Sequence, residues 1–167
     1  MEDLAPRILT ATLDHAAQAR FDALRSAHFP AHRLVIGAHL TLFHALPADL
    51  GLDAVAREAS AGRTLALLVT GVRLLGRGVA FRLESQPLRQ VRARLREVWL
   101  DRLTAQDRQP WQPHITIQNK VDPADARALR DGLAAAFKPF AVTATGLALW
   151  RYRNGPWQEA GSFPFGE

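Results

Sequence analysis

Apolar and polar positions alternate along Arg7 to Leu13 (RILTATL), as in a strand with one buried face. Asp14 follows as a plausible helix cap, and the helical pattern runs on to about Ala27 before Pro30 closes the region. Leu34 to Ala45 (LVIGAHLTLFHA) reads as one β-rich segment with a bend at Gly37, broken by Pro47. Leu50 to Ala61 is helical, with Leu52, Val55, Ala56 and Ala59 on one side and Gly62 as terminator. Two strands, Thr64 to Leu75 and Gly78 to Glu84, meet near Gly76-Arg77 as a hairpin.

Pro87 suits the first turn of a helix to about Leu103, with Leu88, Val91, Leu95, Val98 and Trp99 inward. Thr104 to Gln109 reads as a loop, and Pro110 and Pro113 flank Trp111. A short strand, His114 to Gln118, precedes a helix from Asp122-Pro123 to about Phe137. Lys138 to Tyr152 is mostly extended, Asn154-Gly155 makes a turn, and Trp157 to Phe163 returns as a strand. The order β-α-β-α-β-β-α-β-α-β-β predicts a mixed α+β architecture with helix-covered sheets. No linker or low-complexity tract divides residues 1–167, so one domain is expected.

Composition narrows the chemistry. The absence of cysteine excludes disulfides, thiolate nucleophiles and sulfur-ligated zinc. Of 21 basic residues only Lys120 and Lys138 are lysines, and the formal charge is +5. Arginine offers a planar fork for phosphate oxygens, so the balance is compatible with nucleotide or RNA ligands without establishing them. Met1-Glu2-Asp3-Leu4-Ala5-Pro6 has neither the basic start nor the apolar run of a leader, and charged residues or glycine interrupt every apolar stretch. A soluble cytoplasmic protein with no membrane partner is the expectation.

The most informative local feature is a near-repeat: His39-Leu40-Thr41-Leu42 is matched by His114-Ile115-Thr116-Ile117. In a strand, residues i and i+2 share a face, so each histidine keeps company with a threonine while the apolar residues pack beneath. Two imidazoles can divide phosphodiester cleavage between proton removal and proton donation. Hydroxyls can hold the non-bridging oxygens without adding a charge beside the base. Strand parity also puts Phe43 and Gln118 on these faces, Phe43 to stack on a base or pack the cleft wall, Gln118 to bond sugar or phosphate. The same parity sends His44 to the opposite face and leaves it out of the pair.

Trp111 is a candidate for the substrate rim, and Lys120, Arg151 and Arg153 are candidate electrostatic helpers. Pro30 between His28 and His32 argues against a helical metal pair, and no carboxylate cluster completes one. Gly76-Arg77-Gly78 lacks the context of a phosphate-cradling loop, and no serine-hydrolase elbow or zinc-protease signature is present.

With both His-x-Thr-x motifs in hand, and Pro113 ahead of the second, the chain resembles the 2H phosphoesterase superfamily. It is most similar to the RNA 2',3'-cyclic phosphodiesterase and 2'-5' RNA ligase-like proteins. The resemblance implies a bilobal fold with pseudo-twofold related β-sheets flanked by helices, intertwined in one domain, with a cleft between the lobes. It implies a metal-free, cofactor-free hydrolase that opens the 2',3'-cyclic phosphate of an RNA end or small cyclic nucleotide, with reversible 2'-5' ligation in some members; a monomer without an obligate protein partner is the default expectation. His114 is then general base toward water and His39 general acid toward the departing ribose oxygen, with Thr41 and Thr116 on the phosphate; the approximate twofold permits the reverse histidine roles. After the first motif the related proteins often continue Phe-Leu-Gly, whereas this chain has Phe43-His44-Ala45. The alternative is a non-catalytic RNA or nucleotide-binding module in the same basic cleft.

Overall fold

The computed structural model describes residues 4–166; Met1, Glu2 and Asp3 of the opening segment, and Glu167, lie outside the described residues. Its elements are β1 (Arg7–Leu13), α1 (His15–His28), β2 (Leu40–Leu46), α2 (Asp53–Ala61), β3 (Leu65–Leu74) and β4 (Val79–Glu84). These are followed by α3 (Gln86–Trp99), α4 (Ala105–Arg108), β5 (His114–Gln118), α5 (Pro123–Ala136), β6 (Phe140–Arg151) and β7 (Gln158–Pro164). The expected order is present, with α4 added where a loop was expected. Thr104 caps that short helix by accepting the Asp107 N–H.

The strands form one antiparallel ladder, β1-β2-β5-β4-β3-β6-β7, which closes because β1 also pairs with β6. The chain is thus a β-α-β-α-β unit used twice, β1 to β3 and β4 to β6, with β7 appended and α4 inserted. Exchanging the units carries β1–β2 onto β4–β5 and β1–β6 onto β4–β3, while the β2–β5 and β3–β6 seams map onto themselves. That is the pseudo-twofold. Even the first helix of each unit is built alike, with 14 residues and a side-chain cap, Asp14 on Ala17 N–H and Ser85 on Leu88 N–H.

The ring has two unlike faces. Leu9, Leu40, Ile115, Phe81 and Leu149 belong to the buried core beneath the helices. There Phe21 of α1 meets Phe81, ring centroids 5.6 Å apart. The alternate positions, Thr10, Thr41, Ala80 and Thr116, line up across their pairs on the concave face.

Two departures from simple alternation decide what enters the concavity. The residues before β2 are not strand, although Leu34 to Ala45 was expected to be continuous. Helix α1 holds that segment with side chains instead: Asp22 accepts the Ala38 N–H, Gln18 donates to Ala38 O, and Arg25 donates to Ile36 O. Both motif strands then bulge after their threonine. Thr10 pairs with Thr41 but Leu9 with Phe43, and Ala80 pairs with Thr116 but Val79 with Gln118. One extra residue reverses the parity that follows, and on β2 a second shift before Leu46 restores it.

Phe43 and Gln118 were expected to continue the histidine faces, and the two bulges turn both inward. Phe43 is 0% exposed, packed edge-on against Trp99 at 5.4 Å and under the Arg92 guanidinium. Gln118 is 7% exposed, its Oε1 without a partner among the described residues. The backbone of Gln118 runs so close to Gly78 that a side chain at that position would collide with it.

As a core residue, Phe43 should reveal itself in stability. Phe43→Ala is expected to cost about 3–5 kcal/mol in urea unfolding; a loss below about 1 kcal/mol would return Phe43 to the cleft wall.

Candidate active site

The two motif strands touch at a single backbone pair, Leu40 opposite Ile115. An antiparallel register through that pair carries His39 toward Thr116 and Thr41 toward His114, so the four polar residues form a diagonal cross on the concave face. All four are half-buried. Neither threonine hydroxyl has a protein hydrogen-bond partner among the described residues, which leaves both free for a ligand.

The imidazoles are held in the same way. His39 Nδ1 lies 2.9 Å from Gly37 O, and His114 Nδ1 lies 2.8 Å from Gln112 O, each a carbonyl two residues upstream. A carbonyl can only accept, so Nδ1 carries the proton and Nε2 is left to meet a ligand. Burial pushes His39 down to about 4, only partly offset by the Gly37 bond, with further lowering from Arg25, His114 and His44. His114 is also lowered from 6.5, first by burial and then by Arg73 and His44, against the Gln112 bond. The contribution of His114 to the lowering of His39 puts the two rings within electrostatic reach.

They line adjoining cavities. His39 shares one of about 200 Å³ with Thr10, Thr12, Gln18 and Trp150. Trp157 packs against its ring, centroids 4.6 Å apart and planes tilted by 48°. His114 shares one of about 240 Å³ with Thr41, His44, Arg73, Arg92 and Trp111. Thr10 of the first pairs with Thr41 of the second, so the cavities adjoin across β1 and β2. One side is neutral and aromatic; the other is cationic. A larger apolar groove of about 480 Å³ between α1 and α5, around Leu24, Phe81 and Phe137, contains neither histidine.

Side chains complete the backbone bonding that the diverging seam leaves open. Arg25 of α1 donates to Thr116 O at 2.7 Å, and Arg92 of α3 donates to Leu42 O at 2.8 Å. Trp111 Nε1 donates to Thr41 O at 2.9 Å. Trp111 is therefore both wall and brace. Lys120 is exposed beyond the end of β5, and neither it nor Arg151 nor Arg153 joins the lining of the two histidine cavities.

His44 does join it, contrary to the expectation from parity, because the bulge at Leu42–Phe43 returns it to the cleft side. Trp157, Arg25, Arg73 and Arg92 were also missed. They come from distant elements and carry no local motif. Among the described residues no group of three or more His, Asp or Glu side chains is placed to hold a metal ion.

A model of the 2'-5' RNA ligase superfamily matches residues 13–156. The chain belongs to that superfamily, which is the 2H phosphoesterase group. No curated protein matches it. A solved protein of Thermus thermophilus is 19% identical with a TM-score of 0.63, covering 96% of this chain and 97% of its own. E. coli LigT complexed with 3'-AMP is 20% identical with a TM-score of 0.62, covering 99% and 100%. A solved phosphoesterase is 20% identical with a TM-score of 0.60 over the same shares. At these identities the solved structures show the 2'-5' RNA ligase fold, and the motif geometry is this chain's own. No helix among the described residues is long and apolar enough to cross a membrane.

Long-range ¹H–¹⁵N spectra should show His39 and His114 as Nδ1–H tautomers at pH 7, with His39 staying neutral until the pH falls to about 4. An Nε2–H tautomer at either ring would refute this orientation.

Proposed function

We propose that this 2H protein hydrolyses the 2',3'-cyclic phosphate of an RNA end or nucleotide, with His39 and His114 as its acid-base pair. The observation that carries the reading is the matched pinning of both Nδ1 atoms, which leaves two Nε2 atoms across a diagonal that also presents two unbonded hydroxyls. A binding module would need the cations but not two imidazoles in the same tautomer. LigT, which shares the fold, has been crystallised with 3'-AMP and with phosphate, and this supports a nucleotide phosphate as the ligand.

In the reaction, one Nε2 takes a proton as water oxygen bonds to phosphorus. The other Nε2 gives a proton to the ribose oxygen as its bond to phosphorus breaks. The product is a phosphomonoester beside a free hydroxyl. The threonines hold the non-bridging oxygens, where charge accumulates.

The resting electrostatics bear on the roles. His39 is the imidazole depressed to about 4, so a single shared proton resides by preference on His114. That favours His114 as acid and His39 as base, the reverse of the assignment that the family resemblance carries.

Metal-free turnover of 2',3'-cyclic nucleotides should fall by about 10²–10⁴-fold in His39→Ala and in His114→Ala, with circular dichroism unchanged. Full activity in either variant would end the paired mechanism. A substrate whose leaving atom is sulfur needs no acid, so it should rescue His114→Ala and not His39→Ala; the opposite pattern would restore the original roles.

The free-enzyme ionisations set the pH profile. The base is lost by protonation near pH 4, and the acid is lost as pH rises through a value below 6.5. The profile of kcat/KM should therefore peak on the acid side of neutrality. That of kcat should lie higher, because bound phosphate anion favours both imidazolium forms. A kcat/KM optimum above about pH 8 would contradict this electrostatic reading.

A further inference from the structure

His44 has no part in the acid-base scheme, yet it is a built group. Its Nδ1 lies 3.2 Å from Oδ1 of Asp107, a residue 0% exposed. Asp107 also accepts the backbone N–H of His44 at 2.8 Å and of Ala45 at 3.0 Å. Burial pushes its carboxyl up, but these bonds outweigh burial and hold it below the usual carboxylate range, so it faces the imidazole as an anion.

Arg92 steadies the arrangement from behind, donating to Asp107 O at 3.0 Å. An imidazole fixed by a carboxylate through Nδ1 presents its Nε2 to a ligand. Beside it in the same cavity stand His114, Gln109 and Arg73. Arg73 makes no side-chain hydrogen bond or ion pair among the described residues, and its charge reaches His114. Arg73 also lines a neighbouring cavity with Arg82 and Arg89. The groups facing His44 are thus the Asp107 carboxylate, the His114 imidazole and the Arg73 and Arg92 guanidiniums.

A single cyclic phosphate held by Thr41 and Thr116 between the catalytic imidazoles leaves this cationic corner unsatisfied. We propose that His44 and Arg73 form a second anion subsite, which takes the phosphodiester on the 5' side of the terminal nucleotide, with Asp107 as the residue that positions His44. This rests on the proposed reading of the site as one for nucleotide phosphates. The neutral aromatic side, with Trp150 and Trp157 around His39, lacks such cations in its lining. The subsite therefore gives the substrate a direction: the strand enters over His114 and ends near His39.

The test needs no turnover. Binding of a 3'-phosphorylated mononucleotide and of a 3'-phosphorylated dinucleotide, which adds one internal phosphodiester, is measured calorimetrically for the wild type, His44→Gln and Arg73→Gln. Each variant is expected to lower the dinucleotide-to-mononucleotide affinity ratio about tenfold, the scale of one charge-assisted hydrogen bond. An unchanged ratio, or equal weakening of both ligands, overturns the subsite. Arg73 is half-buried and unbonded, so its variant remains informative should His44→Gln disturb the Asp107 network. Failure of the chemistry is distinguishable: a protein that shows the binding increment but opens no cyclic phosphate keeps the subsite and loses the hydrolase reading.

Discussion

The structure turns on how little of β2 and β5 is joined. One backbone pair, Leu40 with Ile115, joins them, and the strands then part. Parting would strand polar carbonyls in a half-buried seam, at a cost of about 1–3 kcal/mol each. Arg25, Arg92 and Trp111 supply the missing donors to Thr116, Leu42 and Thr41. Since α1 reaches β5 and α3 reaches β2, each half of the chain completes the other's motif strand. The cleft exists because side chains, rather than a neighbouring strand, satisfy its backbone.

Symmetry and asymmetry have separate jobs in this frame. The repeated unit delivers two equivalent histidine-threonine pairs, bulged at the same place and pinned by the same upstream carbonyl bond. What surrounds them is unequal. Arg82 pairs with His114, and Arg73 lies in the same cavity; Trp150 and Trp157 lie around His39. A twofold scaffold cannot by itself tell one end of a substrate from the other, so any polarity in binding must come from residues that break the twofold.

Much of this was legible from residues alone. The order of major elements followed from periodicity and breakers, and the His-x-Thr repeat singled out the four residues at the seam. The parity errors have one physical origin. Alternation assumes an unbroken ladder, and a bulge inserts a residue that no propensity announces, because Leu42 and Ile117 suit a regular strand as well as a bulged one. Phe43, Gln118 and His44 were all misplaced by that single step of parity. The strand expected from Leu34 failed differently: Gln18, Asp22 and Arg25 compete for its backbone from one helix, a non-local contest invisible in the segment itself. Trp157 was hidden for the same reason, since only the β6–β7 pairing returns it to His39.

The choice of arginine for the braces carries one more consequence. A guanidinium keeps its proton throughout the range in which imidazole gains and loses one, and the chain's two lysines lie outside both histidine cavities. The positive field over the concave face is accordingly constant from mild acid to mild alkali. Against that steady background the imidazoles are the moving charges, so the cleft reports acidity through histidine alone while its shape is held by cations that do not titrate.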